Sequence, residues 1–202
     1  MAERVVQMAY GRQRLPLVLD EGLAAWRVVA PREEAALPEP HEAFRAACRA
    51  PIASKPLRAL VKPSDNVVVV TSDGTRPVPN EVLLPWLLEE LPVPPERVTV
   101  LLGTGTHRPN AQAEIAAMFG ADLARTLRIV NHDAFDPEAN EHVGVTAAGV
   151  PVRLDKWYVQ AAKRIALGFI EPHFFAGFSG GPKAVAPGVA SIETILALHG
   201  YD

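Results

Sequence analysis

Three short segments of this chain gather side chains that can bind anions, move protons or hold a metal. The first is Thr71-Ser72-Asp73-Gly74-Thr75-Arg76-Pro77. Its glycine relaxes the backbone, its hydroxyls and N–H groups can donate, and Arg76 offers a planar fork that suits phosphate or carboxylate. A capped surface turn uses the same residue types, so both readings stay open. The second is Gly103-Thr104-Gly105-Thr106-His107-Arg108-Pro109, where two glycines allow close approach of a ligand and His107 follows them. Histidine is the commonest general base because its ordinary pKa lies near working pH. The third is Glu171-Pro172-His173-Phe174-Phe175-Ala176-Gly177-Phe178-Ser179-Gly180-Gly181-Pro182-Lys183. It brings a second histidine, an apolar wall of two phenylalanines, a glycine-rich bend and a lysine. Lys183 could serve there as an electrostatic anchor, a phosphate ligand or, if deprotonated, a nucleophile. His199 closes the series at the end of a short apolar stretch, as a metal ligand or as a cation at a helix C-terminus, the second being the plainer reading.

Two motif matches carry less than they promise. Gly177-Phe178-Ser179-Gly180-Gly181 satisfies G-x-S-x-G, but a nucleophile elbow follows its strand at once, and eight residues separate Ile170 from Ser179. A triad would also need an acid and then a histidine downstream, where only Glu193, His199 and Asp202 remain. Gly103-x-Gly105 lacks the third glycine of a dinucleotide fingerprint and precedes no immediate helix.

The elements that must position these segments follow from periodicity. Val67–Val70 is a β-branched run of the kind buried on both faces of a sheet, and Val98–Leu102, Leu127–Val130 and Ile165–Ile170 read likewise. Helical stretches at Val82–Leu91 and Ala111–Phe119 separate the first three, which is the rhythm of a parallel sheet covered by helices. Pro85 predicts that the first of these helices starts as a loose turn and regularises after the proline. Val143–Thr146 and Val150–Leu154, joined through Ala147-Ala148-Gly149, read as an inserted hairpin. Ser191 is placed to cap a helix over Ile192–Leu198. The fold class is therefore α/β: a layered, Rossmann-like domain with a mainly parallel sheet and an inserted hairpin. In such sheets ligands bind beyond the carboxyl ends of the strands, which is where all three segments fall.

Before Pro63 the texture differs. Val5, Val6, Leu15, Leu17 and Leu19 show strand-like alternation, prolines stand at 31, 38, 40, 51, 56 and 63, and His41–Ala50 reads as a short helix between two of them. Residues 1–63 are read as an N-terminal arm packed on the domain, and 64–202 as the α/β domain. Composition sets further bounds. The chain has 202 residues, 49% of them apolar, and a net charge of −3. The apolar share supports a sizeable core, and the slight acidity argues against a nucleic-acid partner, since neutralising phosphates calls for a basic excess. A single cysteine, Cys48, makes neither an internal disulfide nor a structural zinc site. No apolar run is long enough to span a membrane and the N-terminus lacks a signal-peptide plan, so the expectation is a cytoplasmic protein without a membrane partner.

Taken together, the segments Ser72–Pro79, Gly103–Pro109 and Gly168–Lys183, followed by His199, resemble the N-terminal domain of the nickel-pincer-dependent lactate racemase family, whose members are 2-hydroxyacid racemases and epimerases. Order, spacing and loop placement agree over roughly residues 60–200, and the third segment is long and unusual enough to be highly specific. The resemblance implies a cofactor that composition could not have supplied: nickel pyridinium-3,5-bisthiocarboxylic acid mononucleotide, the nickel-pincer nucleotide. On this resemblance Lys183 tethers the cofactor and His199 completes the coordination of its nickel. Asp73, Gly74, Thr75 and Arg76 cradle the mononucleotide, and His107 and His173 are the two catalytic histidines. One histidine takes the hydroxyl proton while the C2 hydride moves to the cofactor, and return of the hydride to the other face, with the opposite histidine donating, inverts the centre.

Members of that family have two domains and about twice this length. The expectation is thus a truncated cofactor-binding domain, incomplete at its end, whose partners are a small 2-hydroxyacid and an absent C-terminal substrate domain, and which by itself is inactive. Two other readings remain: a zinc- or nickel-dependent hydrolase with His107, His173 and His199 as ligands, and a phosphate- or nucleotide-binding module in which Lys183 is only electrostatic. The first of these needs the three imidazoles to converge within metal-bonding distance.

Overall fold

The N-terminal alternation closes on itself as a hairpin. In the computed structural model, which describes residues 4–30, 34–173 and 176–200, β1 (Arg4–Tyr10) pairs antiparallel with β2 (Gln13–Leu19), Arg4 opposite Leu19 and Tyr10 opposite Gln13. The chain divides into two compact units, Met1–Pro38 and Glu39–Asp202. The helix and prolines between 39 and 63, read from sequence with the arm, thus sit in the second unit.

That second unit begins with α1 (Pro40–Arg49) and α2 (Leu57–Leu60). The valine run extends to form β3 (Val67–Ser72), and α3 (Asn80–Glu90) follows it. Helix α3 starts at Asn80 and runs through Pro85, earlier and more regularly than the proline alone predicts. The reason is tertiary: the buried Asn80 side chain accepts a hydrogen bond from the Thr71 hydroxyl at 2.9 Å, which pins the first helical residue to the end of β3. Helix α1 lies against α3 through His41 stacked on Trp86, with ring centroids 4.9 Å apart, and through Arg49, whose Nη2 meets the buried Glu90 carboxylate at 2.8 Å. Arg45 and Arg58 flank the same carboxylate at 3.6 Å, and the Arg49 hydrogen bond in particular holds Glu90 below the ordinary carboxylate range.

Next come β4 (Val98–Gly103), α4 (Gln112–Phe119), α5 (Ala121–Thr126) and β5 (Arg128–Asn131). The inserted hairpin is β6 (Asn140–Val145) with β7 (Pro151–Asp155), a two-stranded sheet of its own. Helix α6 (Lys156–Gln160) leads to β8 (Lys163–Ala166). The chain then forms the small ladder β9 (Pro172–His173) with β10 (Gly177–Phe178), followed by α7 (Pro182–Val185) and α8 (Ile192–His199). Ser191 caps α8 as its sequence position predicts, its hydroxyl accepting from the Thr194 N–H.

The main sheet has the order β5-β4-β3-β8, every pairing parallel. Alternate valines serve its two faces. Val67 and Val69 join Leu84, Leu87, Val100, Ile115 and Phe119 in one core cluster, while Val68 and Val70 join Leu101 and Val189 in another. Burial on both faces accounts for the unbroken apolar run. One expectation is corrected: the last strand spans Lys163–Ala166, not 165–170. Among the described residues its partner is β3, the register ends at Val70 opposite Ala166, and Leu167 N–H makes a last bond to the Val70 carbonyl at 2.9 Å. Phe169 and Ile170 continue the apolar pattern beyond that ladder and are exposed. Among the described residues no helix is long and apolar enough to cross a membrane.

Candidate functional site

The strand order decides where ligands can bind. From β3 the chain steps outward to β4 and then β5, and it returns to the opposite side of β3 as β8. The carboxyl ends of β3 and β8 therefore flank a topological switch point, where the connecting segments diverge and leave a crevice. A cavity of about 480 Å³ opens there, a volume typical of small-molecule sites.

Asp73, Thr75 and Arg76 line it from the loop after β3, and His107 lines it from the loop after β4. His173, Lys183 and His199 line it from the segments after β8. Gly74 faces a neighbouring cavity on the α4 side, where a Cβ would lie 3.1 Å from the Asn110 amide nitrogen. Phe174 and Phe175, expected as an apolar wall, lie outside the described residues.

Glycines set the floor. A Cβ on Gly188 would run into the carbonyl of Ala184, and one on Gly103 would lie 3.3 Å from the Gly188 carbonyl oxygen. Gly105, at φ +55°, turns the loop so that its N–H donates to the same Gly188 carbonyl at 3.0 Å. The β4 loop and the segment before α8 are thereby drawn together at backbone-to-backbone distance, which only residues without side chains permit.

Each histidine has a defined hydrogen bond. His107 Nδ1 lies 2.7 Å from Asp73 Oδ2. A carboxylate accepts, so the proton is on Nδ1 and Nε2 keeps the lone pair of a base. The buried Asp73 carboxylate is held in turn by the Thr75 hydroxyl at 2.6 Å and the Thr75 N–H at 3.3 Å. His173 shows the opposite arrangement: its Nδ1 accepts from the Ala176 N–H at 3.1 Å, which puts the proton of the neutral ring on Nε2. His199 Nδ1 donates to the Ile195 carbonyl at 2.8 Å. The carbonyl accepts, so that bond places a proton on Nδ1.

Asp73, expected to cradle a mononucleotide, has its carboxylate engaged by His107 and Thr75. Arg76 reaches Glu171, Nε to Oε1 at 3.5 Å. Lys183 sits in the first turn of α7, its N–H donating to Gly180 at 3.1 Å. Ser179, the centre of the G-x-S-x-G string, is buried and donates its hydroxyl to the Phe169 carbonyl at 2.8 Å, a structural use consistent with the discounted elbow.

Among the described residues no group of three or more His, Cys, Asp or Glu side chains could hold a metal ion by itself. His107, His173 and His199 share a cavity without forming a ligand set, so the three-imidazole hydrolase has no support. Lys183 and His199 line the same cavity.

One further histidine escaped the sequence reading. His132 is fully buried and bridges Asp155 Oδ2 and the Ala190 carbonyl, each at 2.9 Å. Each ring nitrogen thus faces an oxygen, one of the Asp155 carboxyl and one of the backbone. Its only sequence signal was a position just past β5, one residue beyond the strand. The pair ties the end of β7 to the strap, residues 187–190, that floors the cavity.

A family described as the lactate racemase N-terminal domain matches residues 10–201 of this chain. The lactate racemase of Thermoanaerobacterium thermosaccharolyticum is 44% identical over 151 residues, covering 74% of this chain and 35% of that protein. The lactate racemase of Lactiplantibacillus plantarum is 40% identical over 151 residues, covering 74% of this chain and 36% of that protein. Among solved structures, the T. thermosaccharolyticum lactate racemase apoprotein superposes with a TM-score of 0.76 at 32% identity, over 96% of this chain and 46% of that one. A Thermotoga maritima protein superposes with a TM-score of 0.59 at 28% identity, over 79% of this chain and 39% of that one. The chain thus spans 35–36% of the length of the curated relatives it matches.

Proposed function

Because this chain belongs to the lactate racemase N-terminal domain family, we propose that it forms the cofactor-holding part of an isomerase that interconverts the enantiomers of a small 2-hydroxyacid. Lactate is the substrate named for its relatives. The observation that best supports this reading is the meeting of two oppositely protonated histidines, a lysine and a third imidazole in one cavity at the switch point.

The nickel-pincer nucleotide, when bound, would supply the acceptor and donor of the C2 hydride. Lys183 would be its covalent anchor and His199 Nε2 the protein ligand to its nickel, with the glycine floor admitting it close to the backbone. The remaining work falls to side chains of this chain. His107, held by Asp73, takes the hydroxyl proton at Nε2, and the buried carboxylate stabilises the imidazolium that results. On return of the hydride to the other face His173 gives the oxygen its Nε2 proton, for which its Nδ1 gives up the Ala176 hydrogen bond and holds a second proton; the neutral ring left behind is the base when the other enantiomer is consumed. Two groups on opposite sides of one planar 2-keto acid are what inversion needs. Arg76 supplies a cation for an anionic group.

The test is an intact-mass and nickel measurement on this chain made in cells that synthesise the nucleotide, beside its Lys183→Ala variant. A covalent increment and bound nickel in the parent, both lost in the variant, are the expected result. A folded parent with neither overturns the proposal and leaves a nucleotide-binding module on the shared scaffold.

A further inference from the structure

We propose a second binding site, at the amino ends of the sheet strands, where Arg97, Thr99 and Arg128 take a small oxyanion, a carboxylate or a phosphate. It lies apart from the switch-point cavity and does not rest on the function proposed for that cavity.

A cavity of about 250 Å³ opens there, with Arg97, Thr99, Arg128 and Trp157 in its lining. It shares no lining residue with the switch-point cavity. Strand register builds its floor. Val68 stands beside Thr99 in the β3–β4 ladder, and Thr99 beside Arg128 in the β4–β5 ladder. Residues side by side in neighbouring strands project to one face of a sheet. Val68 marks that face, since Tyr158 of α6 and Ala161 pack against its core cluster.

Thr99 is the polar exception in its strand. Val98, Val100, Leu101 and Leu102 are at most 1% exposed, whereas Thr99 is 8% exposed and opens onto the cavity. Among the described residues its hydroxyl has no hydrogen-bond partner. A covered parallel sheet ordinarily carries an apolar side chain at such a position. The hydroxyl is matched instead by what fills the cavity.

The two arginines bring charge that the protein leaves uncompensated. Arg97 Nη1 donates to the Ser64 carbonyl at 2.9 Å and to Asn66 Oδ1 at 3.1 Å, neutral acceptors that hold the side chain in place. The Arg128 guanidinium lies over the Trp157 ring, 5.2 Å from its centroid. Among the described residues it has no hydrogen bond or ion pair. Glu96 also lines the cavity and is ion-paired with neither arginine, so two guanidiniums stand against one carboxylate and the lining is positive. Guanidinium N–H groups only donate, and their strongest partners are oxyanions. The volume lies below the roughly 300 Å³ at which pockets begin to enclose drug-sized molecules, which sets the ligand's size.

The experiment is an NMR titration of the full chain at neutral pH with sodium phosphate and, separately, with sodium acetate, at ionic strength held constant with sodium chloride. The amides of Val68 and residue 99 and the Trp157 indole N–H report this site, and the amides of Gly105 and His107 report the switch-point cavity. The parent is compared with Thr99→Val, which removes the hydroxyl, and with Arg128→Gln, which removes a charge. Thr99→Val puts an apolar side chain in an apolar strand and Arg128 is exposed, so both variants keep the fold. The expected result is saturable shifts at the first set of reporters with at least one anion. Arg128→Gln should weaken that binding at least fivefold and Thr99→Val at least threefold. A response to phosphate alone assigns the site to a phosphate, and one to acetate alone assigns it to a carboxylate. Shifts confined to Gly105 and His107, shifts that rise without saturating, or saturable binding that either variant leaves at parental strength each overturn the proposal.

Discussion

Asp73 Oδ2 and His107 Nδ1 lie 2.7 Å apart, with the carboxylate buried and the imidazole side chain 56% exposed. The two oxygens of Asp73 divide their work, one for His107 and the other for the Thr75 hydroxyl and N–H. That division makes the pair directional. The carboxylate is fixed from behind, so the ring it holds is fixed as well, and the lone pair on His107 Nε2 follows from the chemistry of the acceptor.

Asp73→Asn should reverse the His107 tautomer. The Thr75 N–H can only donate, so the new amide turns its oxygen toward Thr75 and its NH₂ toward His107 Nδ1. That nitrogen then has to accept, and the proton moves to Nε2. Imidazole ¹⁵N spectra near neutral pH should show the exchange, and racemisation by a complete enzyme carrying the change should fall about 10²-fold or more. An unchanged His107 tautomer in the variant would contradict the assignment.

His107 and His173 should differ in the parent. The Ala176 N–H at His173 Nδ1 calls for a protonated Nε2 there, against a protonated Nδ1 in His107. Long-range ¹H–¹⁵N correlation spectra of the neutral rings should show one of each tautomer. Two rings of the same type would remove the asymmetry from which the proton steps are argued.

His132→Ala should be costly out of proportion to its distance from solvent chemistry. It leaves the buried Asp155 side chain and the Ala190 carbonyl without the ring that bridges them. A buried polar group left without its partner costs about 1–3 kcal/mol. Urea unfolding of parent and variant would measure it, and a loss below about 0.5 kcal/mol would show that the bridge does not hold the two segments together.

Gly188→Ala should destabilise the chain and close the cavity floor, because the added methyl meets the Ala184 carbonyl within the same short segment. Overpacking of this kind costs about 1–3 kcal/mol. Thermal unfolding should show a lower Tm, and a Tm equal to the parent's would mean that the strap yields without strain.

Acid should remove the contribution of the Arg108–Glu114 pair. The Arg108 side chain and the Ala111 N–H hold Glu114 down to about 2, below its ordinary 4.5. A carboxylate depressed by folding stabilises the fold fully above its unfolded pKa, and that stabilisation is lost as pH falls from about 4.5 toward about 2. The stability difference between the parent and Glu114→Gln should thus be constant above this window and shrink within it. A difference that grows on acidification would reverse the sign and refute the assignment.

Much of this architecture is legible along the chain because its causes are local. Val67–Val70 reads as a buried strand since each face of a covered sheet demands apolar side chains, and Ser191 reads as a cap since its hydroxyl serves its own helix. The three ligand-type segments stand out because glycine, hydroxyl and histidine clusters after strands are turn chemistry before they are anything else. Period and turn geometry pass through neighbouring residues, and a sequence records them directly. What tertiary structure decided is which distant groups meet. Only the order β5-β4-β3-β8 brings the segment after β8 against the loop after β3, and so sets Glu171 on Arg76 and His173 in the same cavity as His107. The register of β8 with β3 closes at Val70 opposite Ala166, two residues before β3 itself ends, while the apolar pattern of the β8 segment runs on. Asp73 became the support of His107, and His132 a buried bridge to Asp155, because partners 34 and 23 residues apart in sequence came within 3 Å of each other. Such contacts depend on how strands are ordered in space, and no local period encodes that order.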